Sequence, residues 1–82
     1  MRDLEFYLAQ PWGVRVFTED YPDGVREWVL EIDELPGFAL AGDSQAELFL
    51  KYRPSLEFFL QSYLDDGEEP PLPVPPARAV GA

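Results

Sequence analysis

The sequence predicts an α+β fold of two layers, in the order β-β-β-α-β, with an antiparallel hairpin sheet and one long helix on one face. Three observations predict it. Apolar and polar residues alternate on both sides of the turn "YPDG". Apolar residues recur at helical spacing from Gln45 to about Leu64, behind a serine cap. Five prolines crowd the seven residues from Pro70 to Pro76, which excludes helix and most sheet interiors there. Residues 1–69 therefore make one domain, and residues 70–82 a Pro-rich tail.

Leu4 to Ala9 is an apolar-rich lead-in, either a short helix or an irregular cap, that stops at Gln10-Pro11. The first strand begins near Gly13, where Val14, Val16 and Thr18 alternate with Arg15, Phe17 and Glu19. Pro22, Asp23 and Gly24 then supply a tight turn. In "VREWVLEID", Trp28, Leu30 and Ile32 share one face and Glu27, Val29 and Glu31 the other. That is a half-buried hairpin, apolar on one side and wet on the other.

Leu35-Pro36-Gly37 breaks the second strand, since proline cannot donate to a ladder and glycine frees the backbone to turn. "FALA" makes a short third strand, ended by Gly42 and Asp43. Ser44-Gln45-Ala46-Glu47 is a capping box. Its serine hydroxyl takes the Glu47 amide, and the Glu47 carboxylate is expected to reach back to the Ser44 amide. Phe49, Tyr52, Leu56, Phe59 or Leu60, and Tyr63 then mark the inner side of the helix. Pro54 interrupts it, either as a kink near Leu50–Tyr52, which is preferred, or as a break into two segments. Asp66-Gly67 supplies the stop. Leu72 and Val74 form a short edge strand or a polyproline II segment, with disorder expected beyond. Trp12, Trp28, Phe38, Phe49 and Phe59 are expected in the core; Phe17, Tyr21 and Phe58 are expected outside it.

Composition bounds the function. The chain has 82 residues, a formal charge of −10, no histidine and no cysteine. A chain this small buries only about 60–65% of the surface it exposes when unfolded, so a homodimer or higher oligomer is expected. Without cysteine there is no thiolate chemistry, and without histidine a serine lacks its usual base. No cofactor is expected. With no apolar leader and no run of about 18 apolar residues, the expectation is a cytoplasmic protein without a membrane partner.

Net charge is −5 over residues 13–34 and −3 over residues 65–82. Such a surface repels a phosphate backbone, which disfavours direct nucleic-acid binding, and steers a basic protein instead.

The order Leu35-Pro36-Gly37, four strand residues, Gly42-Asp43-Ser44 and a helix with Glu47 resembles the HicB antitoxin family, whose pattern runs roughly L-P-G-x-x-x-x-G-D-[ST]-x-x-E-A. "EFYLAQPW" near the start and "GEEPPLPVP" from Gly67 are similar to the family's ends, so the resemblance spans about residues 3–75. It implies a truncated ribonuclease-H-like unit that binds and neutralises a small basic mRNA-cleaving toxin of the HicA type. Many family members carry a C-terminal DNA-binding module; here a Pro-rich tail follows Gly67. The alternative is an orphan HicB-fold structural or regulatory domain with another protein partner and no toxin.

The surface expected to face a toxin is the hairpin, with Phe17, Glu19, Glu27, Val29 and Glu31, together with Glu68 and Glu69. Leu35, Pro36, Gly37, Gly42, Asp43, Ser44 and Glu47 form the structural motif: a chain reversal, a turn and a cap. A ribonuclease-H-like shape raises the thought of two-metal nuclease chemistry at Asp20, Asp33, Asp43 and Glu57. Those residues share no spacing signature, and the expectation is a protein that is not an enzyme.

Overall fold

A computed structural model describes residues 2–73. Helix α1 (Leu4–Leu8) is followed by strands β1 (Val14–Asp20), β2 (Arg26–Ile32) and β3 (Ala39–Gly42), and then by helix α2 (Gln45–Asp65). The strands form one antiparallel sheet in the order β1-β2-β3, so β2 is central. Both helices lie against one side of it, and the fold is α+β, as the hairpin and the long amphipathic segment predict.

Each element starts and stops for a local reason. The Asp3 carboxylate caps α1 by accepting the Phe6 amide at 3.0 Å. The lead-in thus resolves to a helix rather than an irregular cap. Between β1 and β2 the Gly24 amide donates to the Tyr21 carbonyl and the Tyr21 amide to the Val25 carbonyl. Gly24 has φ +88, a conformation that glycine enters without steric cost. Two consecutive turns then carry β2 into β3. Leu35 donates to Ile32, and Phe38 donates to Leu35 across Pro36-Gly37, with Gly37 at φ +90. Proline followed by a positive-φ glycine is what a type II turn requires.

The register β1–β2 pairs Val16 with Leu30 and Thr18 with Trp28, and β2–β3 pairs Leu30 with Leu40. That puts one apolar row per strand on the helix side. Tyr7, Trp12, Leu30, Ile32, Leu35, Phe38, Leu48, Leu56 and Leu60 form a single buried cluster. Phe38 and Phe59 meet edge-to-face at 5.3 Å, and the Trp12 indole nitrogen donates to the Tyr7 carbonyl at 2.9 Å. Each fully buried leucine in this cluster contributes about 1.5–3 kcal/mol through the apolar surface it removes from water.

Helix α2 runs unbroken through Pro54, so the two-segment alternative is not what forms. Pro54 is exposed, as is Leu50, whose carbonyl loses its helical partner to the proline. The helix ends in a full Schellman motif: Glu68 donates to the Tyr63 carbonyl and Gly67, at φ +74, to the Leu64 carbonyl.

Three expectations need correction. Phe49 is 55% exposed rather than core, because Leu48 takes the inward position in the first turns of α2. The Glu47 carboxylate reaches the Asp43 amide at 2.8 Å, one residue before Ser44. No final strand forms up to Pro73, since Pro70, Pro71 and Pro73 have no amide hydrogen for a ladder. Pro70 instead packs fully buried. Val74 and the rest of the tail lie outside the described residues.

Candidate functional site

The sheet has a second face that no helix covers. Its residues are Arg15, Phe17 and Glu19 from β1, Glu27, Val29 and Glu31 from β2, and Ala39 and Ala41 from β3. All five hairpin residues expected from the sequence therefore stand on one surface. Strand alternation is the cause: each is two residues from the next, and the register aligns the rows.

That surface has three zones along the hairpin. At one end Arg15 bonds to Glu31 at 2.9 Å and to Asp33 at 2.5 Å. These carboxylates hold the guanidinium even more firmly protonated than usual, Asp33 foremost. In the middle Phe17 faces Val29 across the strands, and Val29 faces Ala41. Val29 is only 8% exposed although no layer covers it, because its cross-strand neighbours close over it. Phe17, half-buried, is the apolar side chain that a partner reaches.

At the turn end Glu19 stands directly opposite Glu27. Like charges in that position repel and destabilise the pair. The Tyr21 hydroxyl sits between them, 2.8 Å from a Glu27 oxygen and 3.1 Å from a Glu19 oxygen. Its hydrogen bonds to the two carboxylates, Glu27 first, push its pKa from 10.0 up to about 12. Tyr21 has one proton to offer two anions, so both negative charges remain. Asp20 alongside is paired with Arg26 at 2.7 Å. The uncompensated charge of the face is thus concentrated at Glu19 and Glu27.

Glu68 and Glu69 do not join this face. Glu68 is exposed just beyond α2, and its amide closes the helix cap. Glu69 accepts a hydrogen bond from the Tyr7 hydroxyl at 2.9 Å on the helical side of the molecule. Burial, and then this bond, raise the Tyr7 pKa. Sequence reasoning puts Arg15 on the open face and Tyr21 outside the core, but it missed the pairing of Arg15 with Asp33 and the place of Tyr21 between Glu19 and Glu27. The signal for Tyr21 was available: the "YPDG" turn fixes the register that sets Glu19 against Glu27.

The motif residues build the two corners that hold β3. Leu35 is buried and anchors the first, with Pro36 and Gly37 exposed at its tip. At the second, the Ser44 hydroxyl accepts the Glu47 amide at 3.2 Å, and Glu47 also pairs with Lys51 at 3.0 Å. The Asp43 amide and then Lys51 lower the Glu47 pKa. Gly42 leaves the space for that carboxylate: a Cβ there would lie 2.9 Å from the Glu47 carboxyl carbon.

The acids weighed for metal chemistry are separated. Asp20 pairs with Arg26, Asp33 with Arg15 and Glu57 with Arg53. Among the described residues no three carboxylates converge as a metal ion would need. Nor is any helix among them long and apolar enough to cross a membrane. No protein-family model matches the chain, and neither a curated protein nor a solved structure is significantly similar to it.

Proposed function

We propose that this chain is a HicB-like antitoxin domain on a partial ribonuclease-H-like unit. It acts in the cytoplasm, without catalysis of its own, by binding a small basic mRNA-cleaving toxin of the HicA type. The observation that carries the reading is the unlayered sheet face, with Glu19 and Glu27 uncompensated beside Phe17. A basic ribonuclease presents cations to RNA, and an acidic surface with an apolar anchor competes for those cations. The order Leu-Pro-Gly, short strand, Gly-Asp-Ser, helix supports the same reading, since those corners bound β3 in this fold.

The test is a titration against a short basic protein encoded by an adjacent reading frame, at low and at physiological salt; the lack of such a frame favours an orphan domain with another partner. Submicromolar binding that weakens with salt and suppresses RNA cleavage supports the antitoxin reading. A toxin that cleaves RNA undisturbed by excess of this chain contradicts it.

A further inference from the structure

The outer side of α2 is the least expected surface of so acidic a protein. Leu50, Pro54 and Phe58 follow one another at spacings of four, which sets them in one row along the helix. Leu50 and Phe58 are each 80% exposed, more than any other large apolar side chain among the described residues. Phe58 stands as a ridge between two shallow apolar depressions. One, of about 360 Å³, opens toward β3 and is floored by Phe38, Leu40 and Phe59. The other lies toward α1, beside Leu4. A patch that offers both a knob and the depressions for one is suited to an isologous contact, in which each copy supplies both.

Charge distinguishes the occupant. Along the same stretch Glu47 pairs with Lys51, and Glu57 and Glu5 share Arg53, within a chain whose formal charge is −10. A basic partner is steered to the acidic hairpin, whereas a second, equally acidic copy meets less repulsion on this strip, where every acid has an ion-pair partner.

We infer that the outer face of α2 is a self-association surface, on which a second copy of this chain packs its own α2 antiparallel, with the two-fold axis passing Pro54. In that register Leu50 lies opposite the second copy's Phe58. Pro54, small and without an amide hydrogen, lets the helices approach at the crossing. The helix is about 31 Å long. A contact confined to it falls short of the about 800 Å² per partner of a standard stable interface. The dimer is therefore in equilibrium with monomer at micromolar concentrations.

The absence of cysteine makes the test direct. Pro54→Cys places two thiols beside the axis, and the substitution removes an interruption of the helix rather than a core contact. Under mild oxidation it cross-links at least about tenfold faster than Val25→Cys, placed on the hairpin turn. An equimolar mixture of Leu50→Cys and Phe58→Cys gives mainly the mixed dimer. In sedimentation equilibrium Phe58→Asp shifts the chain to monomer with its Tm little changed. A wild-type chain that stays monomeric up to about 1 mM, or a Pro54→Cys chain that links no faster than the Val25→Cys chain, overturns the assignment. So does a Phe58→Asp variant that stays dimeric, or one that loses affinity for a basic partner while self-association is intact.

Discussion

The two outer surfaces of this domain, the bare sheet face and the bare side of α2, are built by opposite rules. On the sheet, Arg15 and Tyr21 engage neighbouring carboxylates, and the apolar centre is closed over Val29. Arg15 sets one positive charge against two carboxylates, whereas Glu19 and Glu27 stand opposite each other with no cation between them. On the helix the acids between Glu47 and Glu57 have ion-pair partners, and the apolar residues stand clear of the surface. The difference teaches that net charge says little about where a small acidic protein binds. What matters is where the charge is left unpaired and where apolar area is left uncovered.

The harshest way to break the comparison is to remove the layer both surfaces share. Leu30 is fully buried on the inner side of β2, directly behind the outer row. Leu30→Ala is expected to cost about 2–5 kcal/mol, and urea denaturation gives the value. In a domain this small both surfaces then fail together. Next in size is the cap that fixes the start of α2. Ser44→Ala removes the oxygen that accepts the Glu47 amide and should cost about 1 kcal/mol in the same assay.

A subtler substitution separates binding from folding. Glu27→Lys places a cation opposite Glu19 in place of a like charge. The Tm is expected to rise by about 1–4 °C, while affinity for a basic partner falls at least about tenfold. Loss of both stability and affinity would mean that Glu27 serves the hairpin rather than a partner.

The smallest effect sharpens the electrostatics. The Tyr21 pKa is raised from 10.0 to about 12 by the flanking carboxylates. A raised pKa favours the protonated folded form, so this contribution to stability is fully present below pH 10 and is lost as pH rises toward 12. In an ultraviolet titration, the difference between wild type and Tyr21→Phe should show a phenol ionising near 12 rather than 10. The Glu47 carboxylate behaves in the opposite sense. Its pKa is lowered, so its contribution is present at neutral pH and is lost as the pH falls through the folded-state value.

Much of this architecture is legible in the residues, because the punctuation is strong. "YPDG", Leu-Pro-Gly, Ser44 and Gly67 set the boundaries of the strands and of α2 to within a residue or two. What escaped depends on contacts distant in sequence or on side-chain crowding. Glu69 meets Tyr7 across 62 positions because Pro70 is buried, which no local pattern reveals. Phe49 has the spacing of a core residue, yet Leu48 occupies the place. Val29 alternates as an outward residue and is outward, but the width of its neighbours decides that it is covered. The acidic face was visible as alternation; the pairing of Glu19 with Glu27 needed the register as well.

The most direct test of the central claim is a titration of a short basic protein encoded by an adjacent reading frame into wild-type and Glu27→Lys chains, each at low and physiological salt. Salt-sensitive submicromolar binding by the wild type, lost in Glu27→Lys while the fold stays intact, is the expected result. Equal affinity for both chains, unchanged by salt, would contradict the assignment of the sheet face as the partner surface.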